Sequence, residues 1–257
     1  MPTPRYYIGC SGFHYRDWRG VFYPPEVPPR RWFQYYTGQF NTLELNVTFY
    51  RQPEPETFQS WYEQSPADYR FAVKAPRQVT HYKKFGPAAA PLLADFYGAV
   101  QEGLRDKLGP VLFQLPPKAA YTDELLGRLI EQLDPAFANV VEFRHPSWWD
   151  GEVLRELTRH HITFCGQSHP LPLPDEVVVN TPRLYYRLHG VPELYKSAYD
   201  EAFLQRLAGE IRAARLVREV YVYFNNGIGG AGVLNARRLQ QLLMSADSVA
   251  PAETPTA

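Results

Sequence analysis

Val140–Trp149 reads VVEFRHPSWW, and the fold follows from what this stretch has to be. Val140 and Val141 are β-branched and apolar, as a buried strand requires. Glu142, Arg144 and His145 then put three ionisable groups into four residues, and Pro146 ends the strand. Side chains alternate along a strand, so Glu142 and Arg144 share one face and Phe143 takes the other. An apolar strand that ends in charge on a single face is the mark of a site built on strand ends.

The same design recurs along the chain. Strands are expected at Arg5–Phe13, Asn41–Val47, YRFAVKAP, GPVLFQLPP, the stretch above, ITFCGQSH, PRLYYRLHG and EVYVYFNN. Helical patterns stand between them, such as TDELLGRLIEQL with Thr122 or Asp123 as its N-cap and DEAFLQRLAGEIRAARL. The proline-rich LPLPDEVVVN after strand six leaves no room for a regular helix. Eight strands alternating with helices predict a single (β/α)8 TIM-like barrel, with the helix after strand six missing or irregular. A doubly wound open sheet is the competing fold, disfavoured because the first strand lacks a glycine-rich phosphate turn. Residues 1–245 are read as one domain and 246–257 as a disordered tail.

Composition narrows the function. The 257 residues include 27 basic and 27 acidic side chains, so no global field draws nucleic acid or membrane. The apolar runs fall short of the roughly 18 residues of a membrane span. Cys10 and Cys165 form neither a disulfide framework nor a metal-ligand spacing, and a cytoplasmic protein is expected. Neither HExxH, CxxC, GxSxG nor a P-loop occurs. No cofactor is expected, and a divalent metal is left open.

Strand parity gives the candidate site. On the face of Glu142 and Arg144 lie Ser11, Glu44, Asn46, Lys74, Gln114, Arg187, His189 and Asn225, while Leu43, Leu45, Val73, Phe113, Val141, Phe143 and Leu188 lie opposite. Seven strands thus contribute polar groups at their carboxyl ends, where barrel enzymes carry their chemistry. Lys74, Arg144 and Arg187 give +3 against −2 from Glu44 and Glu142, and the excess cation points to a missing anion such as phosphate or carboxylate. Glu142, His189 and Glu44 are the candidate catalytic groups. Lys74, Arg144, Arg187, Gln114, Asn46, Asn225 and His145 are the candidate binding groups. Lys74 is preferred as an anion clamp, with a Schiff-base nucleophile as the alternative.

The motifs YIGCSGFHYRDWRGVFYP, FNTLELNVTFYR, FAVKAPRQVTH, LGPVLFQLPP, VEFRHPSWW, YYRLHG and VYVYFNN together resemble the YecE family, domain of unknown function 72, from about Tyr6 to Leu243. The resemblance implies a TIM-like barrel and no particular reaction. It marks Glu44, Asn46, Lys74, Gln114, Glu142, Arg144, His145, Arg187, His189 and Asn225 as motif positions. At the end of strand six, where relatives commonly carry an acid, this chain has Gln167 and Ser168.

Three functions follow as expectations. The first is a hydrolase or lyase acting on a small anionic, possibly phosphate-bearing molecule. The second is a nucleic-acid-binding or nucleic-acid-processing protein that grips a strand through Tyr15, Trp18 and Tyr23 with Arg16 and Arg19. The third is a non-catalytic ligand-binding or scaffold protein. No membrane partner is expected, and the oligomeric state is open.

Overall fold

The computed structural model describes residues 4–51, 53 and 55–245, so the expected tail at 246–257 lies outside the described residues. Eight parallel strands form one sheet: β1 Arg5–Cys10, β2 Thr42–Leu45, β3 Arg70–Lys74, β4 Leu108–Gln114, β5 Asn139–Glu142, β6 Thr163–Ser168, β7 Arg183–Leu188 and β8 Glu219–Phe224. Neighbours pair in sequence order, and β8 pairs with β1. The seam between β1 and β2 closes through a Ser11–Glu44 bridge, with Gly12 N–H donating to the Glu44 carbonyl at 3.0 Å. Gly9 permits this approach, because a Cβ there would lie 2.6 Å from the Thr42 carbonyl oxygen. The result is the expected TIM-like barrel.

Helices cover the outside: α1 Trp32–Thr37, α2 Val47–Tyr50, α3 Pro55–Gln64, α4 Ala90–Leu104, α5 Asp123–Gln132, α6 Gly151–Arg159, α7 Glu201–Ala213 and α8 Ala231–Ser245. Three start on side-chain caps: Thr122 accepts from Leu125 N–H, Asp150 from Glu152 N–H and Asp200 from Phe203 N–H. Between β6 and β7 there is no helix, as the prolines require. Several strands end earlier than expected: β1 at Cys10 rather than Phe13, and β5 at Glu142 rather than at Pro146. β2 stops at Leu45, because the Thr48 hydroxyl donates to the Leu45 and Lys74 carbonyls and turns the chain into α2. That short turn brings Phe49 and Tyr50 toward the barrel mouth.

Two separate apolar cores settle which strand face points inward. Leu43, Leu45, Val73, Phe113, Val141, Phe143 and Leu188 pack under the helices in the outer core. Tyr7, Ala72, Leu112, Val140, Cys165, Tyr185, Tyr221 and Tyr223 fill the barrel interior. The interior rings stack, Tyr7 on Tyr221 at 4.6 Å between centroids, and Thr42 shares a 2.6 Å hydrogen bond with Tyr223. This apolar plug supports the layer of charge above it.

Candidate functional site: the charged barrel mouth

Above the tyrosine plug, β2, β5 and β7 bring Glu44, Glu142 and Arg187 together, all three with no exposed surface. Arg187 donates to Glu44 from Nε at 3.2 Å and from Nη2 at 2.7 Å, and to Glu142 from Nη1 at 2.6 Å. Glu44 also accepts from the hydroxyls of Ser11 at 2.5 Å and Tyr185 at 2.6 Å. The second oxygen of Glu142 is taken by Arg144 Nε, and Arg144 Nη2 reaches His189 Nε2 at 2.9 Å. The sequence Glu44–Arg187–Glu142–Arg144 is therefore an alternating chain of two carboxylates and two guanidiniums. It is neutral as a whole, which is how buried charge survives.

Burial alone would push the Glu142 carboxyl up, but the Arg144 and Arg187 guanidiniums outweigh it and hold the group well below the ordinary range. Held as a carboxylate, Glu142 is a weak proton acceptor. His189 is pushed well below its ordinary value, first by burial and then by Arg144, and is neutral. Since its Nε2 accepts from Arg144, its proton sits on Nδ1. Asn225 Nδ2 lies 3.1 Å from this Nδ1, and turning the amide over presents its oxygen to the Nδ1 proton. The three groups expected to be catalytic thus lie beneath the mouth, their polar atoms engaged by Arg187, Arg144, Ser11, Tyr185 and Asn225.

Lys74 stands apart from this chain. Glu44 pairs with Arg187 rather than with Lys74, and among the described residues Lys74 makes no ion pair. Its Nζ donates to Gln114 Oε1 at 2.9 Å and lies 4.0 Å from the centre of the Phe49 ring. Gln114 is fixed in that orientation, because its amide Nε2 donates to the Leu115 carbonyl at 2.8 Å. Burial, then the Arg187 charge, lower Lys74 to about 7. The excess cation counted in the sequence is this one.

Lys74 lines a cavity of about 290 Å³ with Tyr15, Asn46, Phe49, Tyr50, Tyr195, Asn225, Gly227 and Ile228. Asn46 Oδ1 is buried there without a hydrogen-bond partner. Around the mouth, His169 sits 5.2 Å from the His189 ring and His81 stands edge-on to Phe49 at 5.0 Å. Burial lowers each of these two histidines to about 4, with Arg144 adding to the effect on His169 and Lys74 on His81. All these bases are depressed partly by positive neighbours. A larger hollow of about 800 Å³ lies outside the barrel between α4 and α5, lined by Phe85, Leu93, Tyr97 and Phe137 among others, away from the strand ends.

The expected site residues therefore divide into three groups. Lys74, Asn46 and Asn225 reach the cavity, with Gln114 holding Lys74 from behind. Glu44, Glu142, Arg187 and His189 form its buried support, and Arg144 retains 8% exposure. His145 is turned elsewhere: its Nδ1 accepts from the Ser147 N–H and lies 2.7 Å from the Ser147 hydroxyl, capping a 3-10 turn. Of the rings expected to stack on bases, Trp18 and Tyr23 are wholly buried, Tyr23 parallel to Trp32 at 4.6 Å and Trp18 bonded to the Gly227 carbonyl. Gln167 donates through its amide Nε2 to the Phe143 carbonyl, and its Oε1 is buried without a partner. Ser168 faces outward and meets Asp175 at 3.5 Å. Tyr195 and Ile228 carried no signal in the sequence, because loops after β7 and β8 deliver them. Among the described residues, no three His, Cys, Asp or Glu side chains converge as a metal-ligand set, and no helix is long and apolar enough to cross a membrane.

A closed parallel barrel carrying a charged layer at the carboxyl ends of its strands defines the class as TIM-like. Within that class the chain belongs to the DUF72 family, described as "Protein of unknown function DUF72", which matches residues 7–257. It is 24% identical to the UPF0759 protein YunF of Bacillus subtilis (strain 168), across 92% of this chain and 94% of that protein. It is 30% identical to the UPF0759 protein YecE of Escherichia coli (strain K12) over 126 residues, 48% of this chain and 46% of that one. The crystal structure of a DUF72 family protein from Thermotoga maritima MSB8 superposes with a TM-score of 0.85 at 30% identity, covering 93% of this chain and 99% of that chain. A DUF72 family protein from Enterococcus faecalis V583 has the same fold, with a TM-score of 0.80 at 17% identity over 98% of this chain and 99% of that one.

Proposed function

We propose that this protein is an enzyme, a hydrolase or lyase, acting on a small anionic molecule bound at the barrel mouth. The observation that carries the reading is Lys74: a largely buried amine on a cavity wall, next to two arginines, whose polar partner is a neutral amide. An apolar side chain would fill that position at less cost, so the unbalanced cation is accounted for by a ligand that supplies the anion. His81, His169 and His189 are depressed chiefly by burial, and the positive charge of Lys74, Arg77, Arg144 or Arg187 adds to it at each. The orphaned Asn46 oxygen offers an acceptor for a ligand N–H or O–H, and Asn225 offers an amide next to neutral His189. The cavity volume falls at the lower end for ligand pockets, which favours a small substrate.

The test is a thermal-shift screen with inorganic phosphate, sugar phosphates, nucleotides, small carboxylates and short oligonucleotides, each with and without divalent metal. One small-anion class is expected to raise the midpoint, and the shift is expected to vanish in Lys74→Met. Conversion of the bound compound, followed by mass spectrometry, then separates an enzyme from a ligand-binding protein. Absence of any anion-induced shift would contradict the reading and leave the charged layer as internal support alone. A shift confined to oligonucleotides and steeply reduced by salt would move the assignment to nucleic acid.

A further inference from the structure

We propose that Lys74 is a nucleophile that forms an imine with its substrate, so that the ligand of the barrel mouth is a small carbonyl compound bearing a carboxylate or phosphate. This inference rests on the anion-site reading above and decides it in favour of a lyase.

The argument begins with what surrounds the amine. A lysine that only anchors an anion is best served by exposure or by a carboxylate that keeps it charged when the site is empty. Lys74 is only partly exposed and, among the described residues, has no carboxylate partner: its acceptor is the neutral Gln114 Oε1, 2.9 Å away, and an aromatic face lies 4.0 Å from it. A neutral amine has two N–H groups and one lone pair. With one N–H directed to Gln114 and the Phe49 ring packed against the group, the remaining open side is the cavity. Gln114 cannot turn a donor toward Lys74 without breaking its own 2.8 Å bond to the Leu115 carbonyl, so the acceptor is held in place. The lowered basicity of the group agrees with this geometry, because an imine-forming lysine must be partly unprotonated near neutral pH.

The chemistry balances without a further reagent. The Nζ lone pair forms a bond to the carbonyl carbon as the C=O π pair moves to oxygen. Proton transfer from nitrogen to that oxygen gives a carbinolamine, and its hydroxyl, protonated from solvent, leaves as water while nitrogen supplies the pair for C=N. The product is a protonated iminium, so the positive charge returns to the place where the ligand's anion needs it. Anchoring and nucleophilic attack are therefore successive roles of one nitrogen. An iminium is an electron sink for breaking a bond to the adjacent carbon, the chemistry of carbonyl lyases. Gln114 is a positioning residue in this scheme.

The test uses the full chain and an internal reference. Wild-type protein is treated with glyoxylate and cyanoborohydride at pH 7.5, with acetaldehyde as the uncharged control, and modified lysines are mapped by peptide mass spectrometry. Lys83, Lys84, Lys118 and Lys196 are exposed and serve as the internal reference. Lys74 is expected to be modified about tenfold or more faster than these, because an ordinary lysine is almost wholly protonated at that pH. The preference is expected to be greater with glyoxylate than with acetaldehyde. Lys74 modified no faster than the exposed lysines would overturn the imine. Thermal shifts with phosphate and with carboxylates that lack a carbonyl report the anion site separately. Shifts without a Lys74 adduct would remove the imine alone, whereas the loss of both would remove the site reading as well. Lys74→Arg, which keeps the charge, is expected to retain the anion shift and lose the adduct.

Discussion

Lys74 Nζ lies 2.9 Å from Gln114 Oε1, whereas the two arginines of the same mouth each touch a carboxylate. The contrast divides the charged layer into a balanced support and one cation left facing the cavity. Each part has its own consequences.

Removing the unbalanced cation should stabilise the fold. Lys74 is lowered to about 7 from 10.5, so relative to the unfolded chain it contributes fully only above about 10.5 and progressively less as the pH falls to about 7. Lys74→Met is therefore expected to raise the melting temperature by ~2–5 °C at pH 6. The gap from wild type should narrow steadily between pH 7 and pH 10. Thermal melts across that range check it, and a variant less stable than wild type at pH 6 would contradict it.

Removing a member of the balanced part should do the opposite. Arg187→Met strands both Glu44 and Glu142 in a region without solvent, and a loss of roughly 3–5 kcal/mol is expected. Urea unfolding measures it. A loss below ~1 kcal/mol would mean that the buried chain is less tightly coupled than its geometry requires.

Glu142 adds a pH signature. Its folded-state pKa is depressed, so its contribution is complete above the ordinary carboxylate value of 4.5 and is lost as the pH falls below it. Glu142→Gln is expected to be markedly less stable than wild type at pH 7, with the gap narrowing as the pH falls below 4.5, where the unfolded chain's Glu142 takes up a proton while the folded one stays ionised. Urea midpoints at pH 7, 5 and 3 follow the convergence. A gap that stays constant over this range would show that Glu142 does not carry the charge assigned to it.

Much of this arrangement was legible before any coordinates. Alternation alone placed Glu44, Glu142, Arg187 and His189 on one side and Leu43, Val141 and Leu188 on the other, because a strand's period of two leaves no choice once one face is known to be apolar. The prolines of LPLPDEVVVN announced the missing helix for an equally local reason. What alternation cannot report is pairing across the barrel. It left Glu44 free to neutralise Lys74, whereas a 141-residue separation brings Tyr185, and one of 143 residues brings Arg187, onto Glu44. Nor does it report loop burial: Trp18 and Tyr23 read as available rings, but they pack under their own loop, and Tyr195 and Ile228 complete the cavity wall instead.

The most direct measurement is the titration of Lys74 itself. NMR of the protein labelled at lysine Cε, with Lys74→Met to assign the resonance, follows its protonation with and without the anion found in the thermal-shift screen. The account predicts a midpoint of about 7 in the free protein, rising when a non-carbonyl anion binds. A lysine that titrates at the ordinary value near 10.5, unmoved by any anion, would contradict it.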